Sequence, residues 1–394
     1  MSSIDKASLG IKRVDSLHFF VGNLERSRDH YLSRLDFVET AVGAPDFQQQ
    51  HRSRASLLEA GDVRFVFMSP TATEGESFGW LQNHPEGVGR VVFEVQSAAR
   101  AFELLNQRGA TPISGVEQGV VEGSEVRWFD IATAFGDTVF RFVERAGDTG
   151  GLFPGMVRNS YVPRGRNRFE ISQIDHLTSN FLTLKPAILW MQEVLGLEQY
   201  WGIEFHTQDV TGAAASGGSG LKSIVMWDPQ SGIKFANNEP AAPSFHASQI
   251  YKFCVDHRGA GLQHVALSVG DIVSAVGSMR GLGVEFMPTP RTYYEMLPAR
   301  VAALGIEKLD ESVQTLQDLE ILVDGAGPGS YLLQIFLREA SGLFGDKGAG
   351  PLFIELIQRK GDRGFGAGNF RALFESIERQ QSSSGLSDRS GRAA

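Results

Sequence analysis

The sequence predicts an α+β fold made of two tandem halves that repeat one another, and three observations predict it. A chain of 394 residues is well past the length at which one hydrophobic core stops growing, so two domains of roughly 150 to 200 residues are expected. Apolar residues make up 42% of it, enough for two ordinary cores. The order of strand-like and helix-like segments in the first half then recurs in the second, and such repetition marks a duplicated unit.

The elements pair off in order. VDSLHFF, from Val14 to Phe20, opens the first half as IDHLT, from Ile174 to Thr178, opens the second, each as a short strand. Helical spacing of apolar residues follows in both, from Leu24 to Leu35 before DFVE and from Leu184 to Leu195 before GLEQYW. Next come the strand-like runs Gly87 to Val95 and Gly261 to Val269. After them SAARAFELLNQRGA and DIVSAVGSMRGLGV each read as a helix ending at a glycine suited to a left-handed cap. The halves close on β-rich runs, Thr138 to Val143 in the first, YLLQIFL and LFIELIQR in the second. A Gly-, Pro- and Arg-rich piece breaks the pattern between them. The expected organisation is a first domain over 1–150, a linker over 151–170, a second domain over 171–381 and a small, polar, disordered tail over 382–394. The glycine-rich stretch from His206 to Gly220 lies between strands, not at a strand-to-helix turn, and reads as a surface loop instead of a phosphate cradle.

Charge and cysteine usage exclude several functions. The net charge of −9 comes from interspersed acids and bases, with no basic run to track nucleic acid or an anionic membrane surface. Cys254 is the single cysteine, which excludes intrachain disulfides and all-cysteine metal sites and suits a reducing, cytoplasmic setting. Its apolar surroundings in YKFCVD read as a small buried hydrophobe, not a reactive thiol. Neither a signal-peptide core nor a bilayer-length apolar stretch is present.

Repeated halves provide a control: a residue needed for folding should recur in both, and one needed for chemistry need not. His176 aligns with Ser16, His264 with Arg90, and Glu355 in LFIELIQR with Arg141 in VFRFVER. All three candidate ligands are thus absent from the first half. Two imidazoles and one carboxylate on rigid strands make the facial set that suits non-haem Fe(II), leaving coordination positions for substrate and oxygen. The same three donors can also hold zinc for a hydrolase or isomerase. The remaining histidines, His18, His30, His51, His84, His206, His246 and His257, read as loop, helix-face or metal-free-half residues, and His246 and His257 as solvated side chains near the second-half site.

The segments IDHLTSN, SQI, GAGLQHVAL, ILVD, LLQIF, FIELIQR and FGAGNFRALFESIE, in this order, resemble the 4-hydroxyphenylpyruvate dioxygenase family of the vicinal oxygen chelate superfamily. The resemblance is close from about Ile174 to Gln380 and one of layout before that. It implies two tandem open β-barrel domains, each of paired βαβββ modules, with Fe(II) in the second barrel on His176, His264 and Glu355 and no metal in the first. It also implies pocket roles for Ser223, Asn238, Gln249, Gln263 and Gln334, with Phe336, Phe353, Phe365, Asn369 and Phe370 around an aromatic substrate. Phe336 and Phe370 would sandwich the ring. The stretch from Asn369 to Gln381 would lie over the barrel mouth as a lid helix.

By the same resemblance the partners are 4-hydroxyphenylpyruvate and O2, the product is homogentisate with release of CO2, and the assembly is a homodimer or homotetramer. The neighbouring 4-hydroxymandelate synthases use the same substrate and iron but typically carry a branched aliphatic residue at the position of Asn238 and isoleucine at that of Phe370. The superfamily also includes metal-free sequestering proteins, which would take up no oxygen. Two departures from the family pattern, Ala236 in place of proline and Ala367 in place of lysine, together with the unusual Asn237, bear on substrate or inhibitor preference.

Overall fold

The computed structural model describes residues 7–147, 149–160, 167–206, 220–242, 245–325, 327–366 and 368–369. Runs rich in β-branched and aromatic residues become strands because such side chains pack well on a pleated surface, and they gather here into two mixed sheets. The first, of ten strands, comprises β1 (Ile11–Phe20), β2 (Val38–Gly43), β3 (Ser53–Ala60), β4 (Val63–Pro70), β5 (Gly87–Val95), β6 (Thr111–Pro112), β7 (Glu117–Val121), β8 (Ser124–Ala132), β9 (Val139–Arg145) and β10 (Met156–Arg158). The second, of eight, comprises β11 (Ile174–Asn180), β12 (Glu198–His206), β13 (Gly220–Trp227), β14 (Lys234–Pro240), β15 (Gly261–Ser268), β16 (Leu322–Gly325), β17 (Tyr331–Phe336) and β18 (Phe353–Lys360).

The second sheet runs β12-β13-β14-β11-β15-β18-β17-β16 and reproduces the path β2-β3-β4-β1-β5-β9-β8-β6 of the first. Its ladder registers match as well. His18 pairs with Arg90 as Thr178 pairs with His264, and Val92 pairs with Arg141 as Ala266 pairs with Glu355. The equivalences of Ser16, Arg90 and Arg141 with His176, His264 and Glu355 are therefore positions in one repeated hydrogen-bond frame. The second sheet curls as a half-barrel. The first does not close, so of two like barrels only the curled second sheet is realised in that form.

Helices follow the strands where spacing predicts them, three of the four started by a polar cap. Asn23 accepts from the Arg26 N–H ahead of Leu24–Arg34, Ser97 from Arg100 ahead of Ala98–Gln107, and Asp271 from Ser274 ahead of Ile272–Gly281. Gly109 and Gly283 lie just past the last two, at φ +81° and +77°. The helix beginning at Lys185 widens in its last turn, Met191–Leu195, and closes when the Gly196 N–H bonds the Met191 carbonyl. Glu76–Asn83 between β4 and β5 has its counterpart in Gln249–Asp256 between β14 and β15, whereas Pro45–His51, Arg291–Ala303 and Val313–Leu319 are helices outside the repeated pattern.

One apolar core runs through both sheets. Phe93 and Phe140 of the first meet Phe235 of the second at ring separations of 6.2 and 5.9 Å. The segment expected as a linker is laced onto the first sheet: β10 pairs with β2, and the Asn159 N–H donates to the Thr40 carbonyl at 2.8 Å. Cys254 is buried, and burial pushes its thiol up to about 12.

His257 departs from the solvated reading. It is buried, its ring lies 4.8 Å from that of His84, and His84 in turn bonds the His257 carbonyl and Asp137. These rings meet between the halves, a contact that no local sequence signal reports. His246 is exposed as expected. Among the described residues no helix is long and apolar enough to cross a membrane. Residues 207–219 of the expected surface loop, Ala367, Phe370 and the rest of the expected lid helix beyond Asn369, and the tail lie outside the described residues.

Candidate metal centre

Three adjacent strands, β11, β15 and β18, carry the three candidate ligands. His176, Ala266 and Glu355 share one cross-strand row, and Thr178, His264 and Phe353 share the row two residues away. Because side chains alternate across a strand, all six project from the same face of the sheet. Ala266 contributes only a methyl group between His176 and Glu355, so the two can face each other across it.

His176 Nε2 stands 3.5 Å and His264 Nε2 3.1 Å from the same Glu355 oxygen, and one ligand atom from each residue lies within 4.8 Å of the others. Donors held about 2.1 Å from a metal and at right angles to one another are about 3 Å apart, so the spacing fits a small divalent cation. All three side chains are buried.

The other ring nitrogens are committed. His176 Nδ1 donates to Asp175 at 2.9 Å and His264 Nδ1 to the Gln263 side-chain carbonyl at 3.2 Å, which leaves both Nε2 lone pairs for a metal. Asp175 is gripped in turn by two parallel hydrogen bonds from Arg359, at 2.6 and 2.7 Å. Phe353 stacks on the His264 ring at 4.9 Å, and Phe365 meets the His176 ring edge-on at 5.3 Å.

Burial opposes every charge here, and the partners decide the outcome. It lowers His264, which Glu355 only partly restores. In His176 burial is outweighed by Glu355 and Asp175, which hold the imidazolium at about 9. Glu355, which burial alone would raise, is drawn to about 2 by the two histidines. Burial would likewise raise Asp175, but Arg359 and His176 hold it far below the usual carboxylate range. The carboxylates that favour positive charge on His176 favour a divalent cation between the three ligands for the same reason.

Replacing Asp175 by asparagine is expected to weaken iron binding roughly 10- to 100-fold, the usual cost of removing a carboxylate behind a ligating histidine. An anaerobic Fe(II) titration measures it, and an unchanged affinity would remove Asp175 from the metal site.

A cavity of about 530 Å³ opens over the ligands. Ser223, Asn238, Gln334 and Phe365 line it, as do Thr178 and Trp201, which sequence reading missed although Thr178 sits two residues from His176 on the same strand face. The buried Gln334 side-chain carbonyl and the Thr178 hydroxyl have no hydrogen-bond partner among the described residues. Asn238 donates to Asn180 at 3.1 Å, whereas Asn237 turns to the Phe235 and Ile224 carbonyls at 2.9 and 3.1 Å.

Other candidates sit elsewhere. Phe336 is half-buried with its ring 5.9 Å from that of His264, and the Gln263 side-chain carbonyl faces His264 Nδ1. Gln249 is exposed at the start of the helix Gln249–Asp256. Asn369 is buried and accepts a hydrogen bond from the Tyr293 hydroxyl at 2.6 Å.

Residues 173–297 match the Glyoxalase/Bleomycin resistance protein/Dioxygenase superfamily. The chain is similar to curated proteins named 4-hydroxyphenylpyruvate dioxygenase. Identity is 32% with that of Coccidioides posadasii over 93% of this chain and 92% of the relative, and 33% with that of Danio rerio over 94% and 90%. With the Dictyostelium discoideum protein of the same name it is 30%, over 94% and 98%. Among solved structures, a triple mutant of 4-hydroxymandelate synthase from Streptomyces coelicolor matches with a TM-score of 0.75 at 24% identity, over 94% of this chain and 99% of that one. A xylose isomerase-like TIM barrel/4-hydroxyphenylpyruvate dioxygenase fusion protein matches with a TM-score of 0.70 at 19% identity, over 95% of this chain and 53% of that one. These two likenesses establish the fold.

Proposed function

This chain belongs to the 4-hydroxyphenylpyruvate dioxygenase family of the vicinal oxygen chelate superfamily, and from that premise we propose that it converts 4-hydroxyphenylpyruvate and O2 to homogentisate and CO2. Its buried set of two histidines and one glutamate is the metal site of a non-haem Fe(II), 2-oxo-acid-dependent dioxygenase. Ferrous iron held by His176, His264 and Glu355 would supply the activation of dioxygen and a chelation point for the 2-oxo acid. The chain's own residues do the rest. The observation that carries the choice of substrate is the cavity wall. Ser223 and Asn238, cross-strand neighbours on β13 and β14, present polar groups to it, and the Gln334 carbonyl offers an acceptor that a phenol hydroxyl satisfies. Trp201, Ile203, Leu221 and Phe365 give apolar surface to the ring and keep bulk water off the reacting carbons.

The test is anaerobic Fe(II) reconstitution followed by oxygen uptake with 4-hydroxyphenylpyruvate, with products separated against homogentisate and 4-hydroxymandelate standards. Homogentisate formed in step with oxygen consumption supports the reading; 4-hydroxymandelate would retain the metal site and overturn the pocket assignment. Asn238→Ile is expected to raise the benzylic share of product about tenfold, the low end of what a contact of this size is worth in a pocket. An unchanged product ratio would free Asn238 from any part in specificity.

A further inference from the structure

The registers that superpose the two halves also superpose two cavities. On the first sheet a cavity of about 560 Å³ is lined by His18, Met68, Arg90, Trp128, Arg141 and Phe153, among others. In the repeated frame Arg90 occupies the place of His264, Arg141 that of Glu355, Met68 that of Asn238 and Trp128 that of Gln334. We propose that this cavity is a second ligand site, selective for a small aromatic carboxylate, with Arg90 taking the anion and Trp128 and Phe153 taking the ring.

The hydrogen bonds of Arg90 carry the anion assignment. Its side chain is buried; Nη1 donates to His18 Nδ1 at 3.1 Å, and Nη2 alone serves both oxygens of Glu76. Nε is buried and has no partner among the described residues. A guanidinium binds carboxylate best through two parallel N–H groups, as Arg141 does toward Asp130 at 2.7 and 2.7 Å. Glu76, on the helix Glu76–Asn83, uses one nitrogen of Arg90 and is 39% exposed, so it is an exchangeable partner. A ligand carboxylate on Nε and Nη2 would satisfy the orphaned donor and complete the fork.

Arg90 and Arg141 face the carboxylates Asp130 and Glu76, so a ligand carboxylate that displaces the half-exposed Glu76 keeps the charge balanced, and burial together with Arg90 and Arg141 keeps His18 neutral and able to accept. Glu117 also lines the cavity, but it is exposed and solvent screens it. The walls suit an aromatic ring. Phe153 meets His18 edge-on at 5.5 Å and Trp128 at 6.4 Å, with Arg141 lying 5.3 Å over Phe153.

The probe is phenylacetate, titrated calorimetrically into the full-length, iron-loaded protein and into His264→Ala. One equivalent is expected to bind both, and Arg90→Gln should weaken it about tenfold or more. Tryptophan emission should change on binding in Trp201→Phe, whose altered side chain lines the metal cavity, and not in Trp128→Phe. The proposal is overturned by the absence of saturable binding, by its loss in His264→Ala, or by unaltered affinity in a natively folded Arg90→Gln protein. If Arg90→Gln does not fold, an emission change that persists in Trp128→Phe overturns it. None of these outcomes depends on which product the metal site makes.

Discussion

Glu355→Ala is expected to abolish iron-dependent turnover while leaving a folded protein, and His176→Ala and His264→Ala should do the same. The loss should exceed the roughly 10- to 100-fold that removal of an outer partner costs, because the carboxylate oxygen that faces both imidazoles disappears. The fold should survive since Asp175 and Arg359 remain paired and the ladder of β15 with β18 is a backbone structure. Oxygen uptake, Fe(II) titration and circular dichroism on one preparation separate the possibilities. Near-normal turnover in any of the three variants would overturn the ligand assignment.

The largest effect on stability is expected far from the metal, at Asp15. Arg145 donates to both its oxygens, at 2.8 and 2.9 Å, and the two side chains are 0% and 2% exposed. Asp15→Ala would strand the guanidinium in the core, at a cost of about 3–5 kcal/mol. Arg145 also holds Thr149 and the Leu152 carbonyl, so the start of the inter-sheet segment should loosen with it. Burial alone would raise the Asp15 carboxyl, but Arg145 brings it below its ordinary value. The sign follows: its contribution is complete above the unfolded carboxylate pKa and is lost as pH falls through the folded one. Denaturant melts of wild type and variant near neutrality should differ by the stated amount and converge in acid; equal stability near neutrality would refute the pairing argument. Iron affinity should not change, in contrast to Asp175→Asn.

This contrast explains what the sequence made legible. His176, His264 and Glu355 could be found because Ser16, Arg90 and Arg141 stand in their places, and comparing two halves reveals differences. The same comparison is blind to what the halves share. Asp175 and Arg359 hold the metal histidine, yet they recur as Asp15 and Arg145 in the repeated frame, so nothing set them apart. Trp201 reaches the cavity from β12, which β13 and β14 separate from the nearest ligand strand, through pairings between distant segments. Gln249, expected in the pocket, is exposed because the Ser248 cap begins the helix there. The repeated strands and their helices were readable from apolar spacing and caps; the unrepeated helices and the His84–His257 contact arise from packing between segments that no local pattern connects.

The duplicated Asp–Arg clamp also bears on how such a chain diverges. Each half already possesses the buried anchor that orients a residue at the position of His176 or Ser16, along with the same hydrogen-bond ladder. Acquiring or discarding iron then turns on three side chains at equivalent positions of one repeated ladder. After duplication, one copy could keep its chemistry under selection while the other drifted toward a new ligand, with neither having to relearn how to fold.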